Sequence, residues 1–495
     1  MSRESSQLVI DCSMGGWTNN PNIDAVPPYM MVDGTKNIAM HEGSRKQRGG
    51  TSHVGGTALS GRIMGICDFT LQDGTQYILR ATTEGYLYKN LTDTIHPTLF
   101  STGTHMGFVV ADNKVFCFNG AQVPHTWGGS GNSAAIVKAA ADWGTDKPVQ
   151  LVIHGKGNSR RMWAICQKAV YASKSEDLTD FTDATVKKIP IYTEDGFGLV
   201  GGIAYGDRLI VFGKSKAYVI DDTNTDTAYW GYTQSQWYGG VAHYRLIVKT
   251  PTDIICMMED GTIYSVTAAE SYGDYKYAEL TKPAFIDKWI KENISLAQIN
   301  NFFGVYDPYI RAVKFFMQKK TASTNDCCLV YYIDRPKEEA WMLYDNSNNP
   351  SGYKASCGAV VRKSVGVWKV YTGDYSGWTW ELEMTGKNDN SLGYNAAFYT
   401  PHMHSADLRA DKLFQGGHII HKPQGNWNLS YSGLVDGANG FSGLISLAGT
   451  GATWGNFAWD DGTVWAGTEL IESDFDLGVR GKRMQLGFYN NAVNQ

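Results

Sequence analysis

The sequence lacks most of the features that identify a membrane protein, a metalloprotein or a common enzyme. No apolar run approaches the roughly 18 residues of a membrane span, and residues 1–13 have no positively charged start followed by an apolar stretch. Eight cysteines are scattered without a Cys-x-x-Cys spacing, which favours reduced, buried thiols. The motifs Gly-x-Ser-x-Gly and His-Glu-x-x-His are absent. We therefore expect a protein folded in a cytoplasm that is not an enzyme and needs no cofactor.

The chain also lacks a surplus of positive charge. It has 44 Lys and Arg against 49 Asp and Glu, a net charge of −5. Tight binding to DNA without sequence preference needs a basic surface that displaces counterions from phosphates. The charge therefore argues against a DNA clamp, although DNA could still pass along the protein.

Glycine and aromatic residues are abundant, with 55 Gly, 28 Tyr and 15 Trp. This composition is typical of short strands joined by tight turns. Residues 72–90 alternate apolar and polar side chains around two predicted hairpin turns, Asp73-Gly74 and Glu84-Gly85. Similar phrases recur about every 40–50 residues, which is the period of β-propeller blades. They begin at Ala111, Arg161, Asp207, Glu259, Ala312 and Gly366.

The predicted fold class is all-β, with three parts. Residues 1–56 have little periodicity and are interpreted as an extended N-terminal arm that other surfaces must order. Residues 57–395 are predicted to form a β-propeller of six to eight degenerate blades. Residues 396–495, rich in Gly, Asn and Trp, are predicted to form a β-rich, sandwich-like module with exposed aromatic side chains. Two helices are expected within the propeller, one following Pro283 with Trp289 on its apolar face and one over 132–143.

Five basic residues near the N-terminus are candidate subunit contacts. They surround one acidic residue, Glu42, and could face an acidic neighbouring subunit or DNA. The alternative is a solvated turn whose basic side chains pair within the same chain. The five are Lys36, Arg45, Lys46, Arg48 and Arg62.

Three further motifs have simpler explanations than a binding site. His402 and His404 would point to the same side of a strand, near Asp407, Asp411, His418 and His421, but unpaired surface histidines are commoner than metal ligands. The run 213–215 (Gly-Lys-Ser) lacks the earlier glycine of a phosphate-binding loop. The run 458–465 is similar to the Asp-box of sialidase propellers, which is a structural hairpin turn.

An ordered series of phrases resembles the tail nozzle family of short-tailed bacteriophages, also called tubular tail protein B or packaged-DNA stabilisation protein. Near the start, Asn37 and the basic run 43–49 occupy the places of the family's opening phrase, although Gln47 interrupts the basic pair and Gly49 stands where proline is usual. Further matches follow in the family's order over roughly residues 12–400. They include Asn119, Gly120, Pro124, Arg161, Trp163, Tyr171, Ser173, Asp177, Asp180 and Phe181.

The resemblance implies a homohexameric ring in the virion tail, below the portal and adaptor proteins and beside the tail fibres. Such a ring would retain packaged double-stranded DNA and conduct it during ejection, without sequence-specific binding and without strong basic character in its lumen. The alternative is a virion-associated propeller that binds or hydrolyses host glycans. Hydrolysis would need two carboxylates about 5 to 9.5 Å apart, and no pair can be selected from the sequence.

Overall fold

The computed structural model describes most of the chain. The described residues are 7–40, 43–90, 93–96, 100–136, 138, 143–156, 159–175, 177–182, 187–236, 239–268, 275–345, 351–404, 407, 409–422, 427–448 and 470–490. Nearly all regular structure among them is β-strand.

Short antiparallel strands follow one another in groups of four. Three short strands come first: β1 (Ile38–Ala39), β2 (Lys46–Gln47) and β3 (Gly50–His53). The first two sheets are β4 (Ile63–Thr70), β5 (Gln76–Thr82), β6 (Leu87–Lys89), β7 (Asp93–Thr94), and β8 (Gly107–Ala111), β9 (Lys114–Phe118), β10 (His125–Trp127), β11 (Ala134–Ala135). The next two are β12 (Gln150–His154), β13 (Arg161–Ile165), β14 (Ala169–Ala172), β15 (Lys187–Pro190), and β16 (Leu199–Tyr205), β17 (Arg208–Gly213), β18 (Ala217–Asp221), β19 (Gly231–Gln234).

Three more sheets continue the series. The fifth and sixth are β20 (Ile247–Lys249), β21 (Ile254–Met257), β22 (Ile263–Ala268), β23 (Tyr275–Glu279), and β24 (Phe303–Asp307), β25 (Ala312–Met317), β26 (Cys327–Tyr332), β27 (Trp341–Asp345). The seventh contains β28 (Ala355–Ser364), β29 (Val367–Asp374) and β30 (Thr379–Met384). Its fourth strand is β3, so the sheet order is β28–β29–β30–β3.

The seven sheets close into a ring around an axis. The first strand of each sheet contacts the first strands of the sheets before and after it, and β28 of the last sheet contacts β4 of the first. Strand β3, which precedes β4 in the chain, completes the last sheet and so joins the two ends of the ring. The described residues therefore form a seven-bladed β-propeller, which confirms the predicted fold class within the predicted range of six to eight blades.

Local turn chemistry and inter-blade packing explain why the chain folds this way. Gly74 and Gly85 have φ values of 88° and 86° and lie in the β4–β5 and β5–β6 hairpins, as the sequence predicts. Apolar faces of consecutive blades pack against each other. Between the first two blades, the Trp127 ring meets the rings of Phe69 and Tyr77 at centroid distances of 5.7 Å and 5.2 Å.

One of the two predicted helices is present. Helix α1 (Ile286–Asn293) buries Ile286, Trp289 and Ile290 on one face, as its spacing predicts. The prediction over 132–143 is wrong for its described N-terminal part, because Ala134 and Ala135 form strand β11 and pair with β10 at the edge of the second blade. Short 3₁₀ helices span Ile23–Ala25, Thr227–Tyr229, Tyr244–Leu246 and Leu296–Asn301.

The chain divides into two compact units. The larger unit, residues 51–337 and 345–384, contains the propeller axis. The smaller unit combines residues 1–50, 338–344 and 385–495. Its C-terminal strands are β31 (Ala396–Tyr399), β32 (Lys412–His421), β33 (Asn428–Val435), β34 (Ala438–Ser446), β35 (Ile471–Gly481) and β36 (Met484–Asn490).

The C-terminal part of the smaller unit is β-rich, as predicted. A four-stranded sheet has the order β31–β36–β33–β34, and β32 pairs with β35 separately. Aromatic residues join the two layers, with Tyr431 on β33 and Phe488 on β36 packed around Phe475 on β35. The described aromatic residues of this core are therefore structural rather than exposed contacts.

The N-terminal segment, expected over 1–56 as an extended arm that other surfaces must order, packs on surfaces of its own chain. Trp17 is 1% exposed, and its backbone N–H donates to the Trp341 carbonyl within the smaller unit. Val32 is buried in a cluster with Tyr399. Because residues 7–50 bury these apolar side chains against residues 338–344 and 385–490 of the same unit, the segment is ordered within its own chain. The expected boundary at residue 56 also falls after β3, which belongs to the seventh blade.

All eight cysteines are free; Cys12 is exposed and the other seven are buried. Burial raises the pKa of the Cys117 and Cys166 thiols, which keeps them protonated. Within the described ranges, no helix combines the length and apolar character needed to cross a membrane.

Candidate functional site

Arg48, one of the five candidate contact residues, is completely buried. Its guanidinium donates to both carboxylate oxygens of Asp389, with Nη2–Oδ2 at 2.7 Å and Nη1–Oδ1 at 3.1 Å. The guanidinium carbon lies 3.7 Å from the centroid of the Tyr394 ring. The side chain is 0% exposed, so it has no surface to offer to another subunit. For Arg48, the alternative of pairing within the same chain is the observed arrangement.

Lys36, Arg45 and Lys46 lie in the same smaller unit and are half-buried. The backbone of Lys36 exchanges two hydrogen bonds with Ala397, at 2.8 Å and 3.0 Å. Arg45 donates to the carbonyls of Met14 and Tyr29, and its guanidinium carbon lies 5.2 Å from the Phe398 ring centroid. These three residues retain partly exposed side chains on the chain's surface.

Arg62 lies in the other compact unit, near the propeller axis. Its guanidinium carbon stacks 4.2 Å from the centroid of the Tyr375 ring. Its Nε and Nη2 atoms are buried and have no hydrogen-bond partner within the described ranges. Arg62 therefore belongs to the larger compact unit, whereas the other four basic residues belong to the smaller one.

A cavity of about 350 Å³ lies where the first strands of five blades converge. Residues of β4, β8, β20, β24 and β28 line it, together with the turn that precedes β20. Four polar side chains in the lining are Asp68, Tyr244, Arg245 and Cys357. Burial raises the pKa of Tyr244 to about 12 and that of Cys357 to about 11, so both groups are neutral.

Arg245 is held at this cavity by a short local structure. The His243 Nδ1 atom accepts a hydrogen bond from the Arg245 backbone N–H at 3.4 Å, capping the 3₁₀ helix Tyr244–Leu246. The Arg245 side chain donates from Nη2 to the Ser356 carbonyl, and its guanidinium carbon lies 5.3 Å from the Phe303 ring centroid. Desolvation lowers the pKa of Arg245, and neighbouring Arg62 lowers it further.

The cavity does not contain the paired acids that glycoside hydrolysis requires. Asp68 is the single carboxylate in its lining. Both of its oxygens are already used: Oδ1 accepts from Gln76 Nε2 and Oδ2 from the Arg362 backbone N–H, each at 2.8 Å. A retaining or inverting hydrolase needs two carboxylates facing the sugar, so this cavity does not favour the glycan-hydrolase alternative.

The histidine group is divided among separate contacts. His402 Nδ1 lies 2.7 Å from Asp24 Oδ1, and His404 Nε2 lies 3.2 Å from the Asp24 carbonyl oxygen. His421 instead contacts Ser473 at 2.9 Å. In the part of the chain that the structure describes, no three His, Cys, Asp or Glu side chains are grouped as metal ligands.

The other two motifs add no site. Gly213 ends strand β17, Lys214 forms an ion pair with Glu259 at 2.6 Å, and Ser215 donates to Asp195 at 2.7 Å. These contacts fix a hairpin rather than a phosphate-binding loop. The Asp-box-like run 458–465 lies outside the described residues.

Exposed aliphatic side chains on two strands of the smaller unit are further candidate contacts. Leu413 and Ile420 on β32 are 55% and 58% exposed, and Leu444 on β34 is 65% exposed. In β32 the exposed positions alternate with half-buried ones, and in β34 the exposed Leu444 precedes the buried Ile445. The two strands belong to different sheets, so the exposed aliphatic groups are two separate candidate contacts rather than one patch.

No motif in the sequence singles out Arg245 or the exposed leucines. Arg245 is one arginine within an apolar run, and nothing in that local pattern indicates a central cavity. The sequence of β32 does show apolar residues at intervals, but which face of the strand is covered depends on strands far away in the chain.

Comparison with known structures finds similar chains at low sequence identity. The chain is similar to BBS1N from a complex with ARL6DN (TM-score 0.43, 10% identity, covering 68% of this chain and 97% of that one). It is also similar to the Cps50 (Swd1) β-propeller domain of Myceliophteria thermophila (TM-score 0.44, 9% identity, 68% and 100% covered) and to the Pan2 WD40 domain of Neurospora crassa (TM-score 0.38, 10% identity, 68% and 95% covered). No protein-family model and no curated protein matches the chain.

Proposed function

We propose that the chain is a structural subunit of a short-tailed bacteriophage tail nozzle. Copies of it assemble into a ring, a homohexamer in the resembling family, that contacts portal and adaptor proteins and tail fibres in the virion. The ring retains packaged double-stranded DNA and conducts it during ejection. The protein acts as a scaffold in this proposal, without catalysis.

The observation that carries the proposal is the ordered series of phrases that resemble the nozzle family over residues 12–400. They follow the family's order through several blades. The matched residues Trp163 and Phe181 are 0% and 1% exposed, so in this chain they are packing residues of one blade. The resemblance to the nozzle family therefore includes residues that hold the propeller together. A structural role depends on this scaffold.

Exposed aliphatic side chains on the two sheets of the smaller unit support the proposal as candidate contacts for ring assembly. Leu413 and Ile420 on β32, or Leu444 on β34, would lose contact with water when a neighbouring subunit covers them, and each fully buried side chain of this size contributes roughly 1.5–3 kcal/mol. Lys36 and Lys46 add positive charge at partly exposed positions of the same unit, whereas Arg45 buries Nε and Nη1 of its guanidinium. Such charges set the register and the rate of association more than its strength.

Assembly beside the other tail proteins tests the proposal. The full chain is co-expressed with portal and adaptor proteins of the same virion, and complexes are sized by native mass spectrometry and electron microscopy. We expect closed rings that contain this chain. Turnover of a glycan panel by the monomer, with no ring even beside portal and adaptor, would contradict the proposal.

A pair of variants links assembly to these candidate contacts. Leu413→Glu with Leu444→Glu places two charges on exposed positions of β32 and β34, so we expect fewer rings because a charge buried without a partner opposes association. Gln72→Glu, an exposed residue of the propeller, is the control and should leave assembly unchanged. Both proteins should keep the wild-type thermal midpoint, since all three positions are exposed in the isolated chain.

A further inference from the structure

Two arginines near the propeller axis have no acidic partner. Among the described residues, no carboxylate forms an ion pair with Arg62 or Arg245, whereas Arg48 and Arg311 each have one. Arg62 lies close enough to Arg245 that the two positive charges repel. Burying a positive charge without an opposite charge is strongly unfavourable, so this arrangement needs a compensating group.

The groups around the two arginines do not supply enough negative charge to balance both. Tyr244 and Cys357 are neutral at pH 7 because burial raises the pKa of each well above 7. Asp68, at the same cavity, accepts from Gln76 and from the backbone of Arg362, and these neutral donors do not cancel its charge, but it forms no ion pair with either arginine in the described part of the chain. Two arginines against this one carboxylate leave a net positive charge at a cavity large enough for a small molecule, about 350 Å³.

Hydrogen-bond donors at this position are also unused. Arg245 Nη1, Arg62 Nε and Arg62 Nη2 are buried N–H groups with no hydrogen-bond partner among the described residues. The Tyr244 hydroxyl, in the cavity lining, is buried and has no partner there either. Native proteins rarely leave several neighbouring buried donors unpaired, because each costs about 1–3 kcal/mol.

We infer that the cavity at the propeller axis binds a small tetrahedral oxyanion of the phosphate class, with Arg245 as its principal ligand and Arg62 as the second positive charge. Guanidinium groups donate pairs of parallel hydrogen bonds to such oxygens. The Tyr244 hydroxyl is the neutral donor in the cavity lining. The oxyanion could be free phosphate or the phosphoryl group of a small ester, since both present the same oxygens.

Binding of inorganic phosphate to the full-length chain tests this inference. Isothermal titration with phosphate is compared with chloride at matched ionic strength, and the thermal midpoint is measured in both. We expect one saturable site for phosphate, with a midpoint that rises with phosphate concentration, because a ligand that binds only the folded state stabilises it. Glycerol 1-phosphate is titrated in parallel; saturable binding of either probe supports the site, and the tighter one identifies the source of the oxyanion.

Arg245→Gln and a matched arginine variant decide whether the cavity is responsible. Arg161 also packs its guanidinium on an aromatic ring, that of Trp230 at 5.2 Å, and has an unpartnered buried Nε, but it does not line the cavity. We expect Arg245→Gln to weaken phosphate binding at least about tenfold, as loss of a charge-assisted hydrogen bond does, and Arg161→Gln to leave it unchanged. In phosphate-free buffer, Arg245→Gln should unfold at the same or a higher temperature, because it removes an uncompensated charge.

Three results would overturn the inference. The first is weak, non-saturable binding equal to that of chloride, which is an adventitious ion only. The second is equal weakening by Arg161→Gln. The third is unchanged phosphate binding by Arg245→Gln. Ring assembly plays no part in these measurements, so their outcome is independent of the proposed tail function.

Discussion

Individual buried charges in this protein differ in whether the chain itself compensates them. Lys314 is 0% exposed and donates to Asp307 and Glu383, both at 2.8 Å. Its two carboxylates raise the pKa of the ammonium group, so Lys314 stays charged at every physiological pH. Asp389 compensates the charge of Arg48 in the same way. No carboxylate in the described part of the chain forms an ion pair with Arg245. A fully partnered charge indicates a structural role, and an unpartnered one at a cavity indicates a ligand.

The Arg48–Asp389 pair provides a prediction at this scale. Asp389→Asn should destabilise the smaller unit by about 3–5 kcal/mol, because Arg48 is left as an uncompensated buried charge. Replacing both partners, Arg48→Met with Asp389→Leu, should recover most of that loss, since no buried charge remains. Urea denaturation gives the stability, and hydrogen exchange of residues 36–50 and 385–399 locates the change.

The exposed ion pair Arg311–Asp334 is the control for this prediction. Asp334→Asn breaks a pair in which both side chains are 54% exposed, so solvent replaces the lost contact and stability should hardly change. Equal effects of Asp389→Asn and Asp334→Asn would mean that Arg48 is not buried as described.

At the scale of strands, the glycines of the innermost strands have a packing role. A Cβ atom on Gly65 of β4 would lie 2.3 Å from the Met106 carbonyl oxygen, and one on Gly304 of β24 would lie 2.5 Å from a methyl carbon of Val248. Inner strands of neighbouring blades approach each other most closely near the axis, so some positions have no room for a side chain. Glycine therefore serves here as a close-contact residue as well as a turn residue.

Gly65→Ala should destabilise the propeller by about 1–3 kcal/mol, because the obstructing atom belongs to the backbone and cannot rotate away. The matched control is Gly231→Ala on the outermost strand β19, where an added Cβ meets nothing within 4 Å. That change should be neutral or slightly stabilising, through the lower entropy of the unfolded chain. Thermal unfolding of both variants is the measurement, and a neutral Gly65→Ala would show that the inner strands are not in close contact.

For the whole molecule, the decisive feature is how the ring closes. The seventh blade takes three strands from residues 355–384 and its outer strand, β3, from near the N-terminus. Val54, just after β3, donates its backbone N–H to the Thr379 carbonyl at 2.8 Å. His53 stacks on the Trp378 ring with centroids 4.0 Å apart. Closure by a distant strand makes the first and last blades depend on each other.

Val54→Pro should loosen this closure, because proline lacks the backbone N–H that donates to the Thr379 carbonyl. We expect the loss of this hydrogen bond to lower the stability by about 1–3 kcal/mol. Hydrogen exchange should then rise in β30. Ala58→Pro, at an exposed position four residues later, is the control and should leave β30 protected. Unchanged exchange in Val54→Pro would mean that β3 does not hold the seventh blade.

Local patterns in the sequence determined the class of fold. Alternation of period two, Asp-Gly and Glu-Gly turns, and a repeat of about 40–50 residues depend only on neighbouring residues, so the all-β propeller and the helix after Pro283 could be predicted. The tertiary structure decided what joins residues far apart in the chain. It set the blade number, placed β3 in the seventh blade, buried Arg48 against Asp389 and gathered a cavity from the inner strands of five blades. These features depend on ring closure, which brings together segments separated by some 300 residues and leaves no trace in any short stretch of sequence.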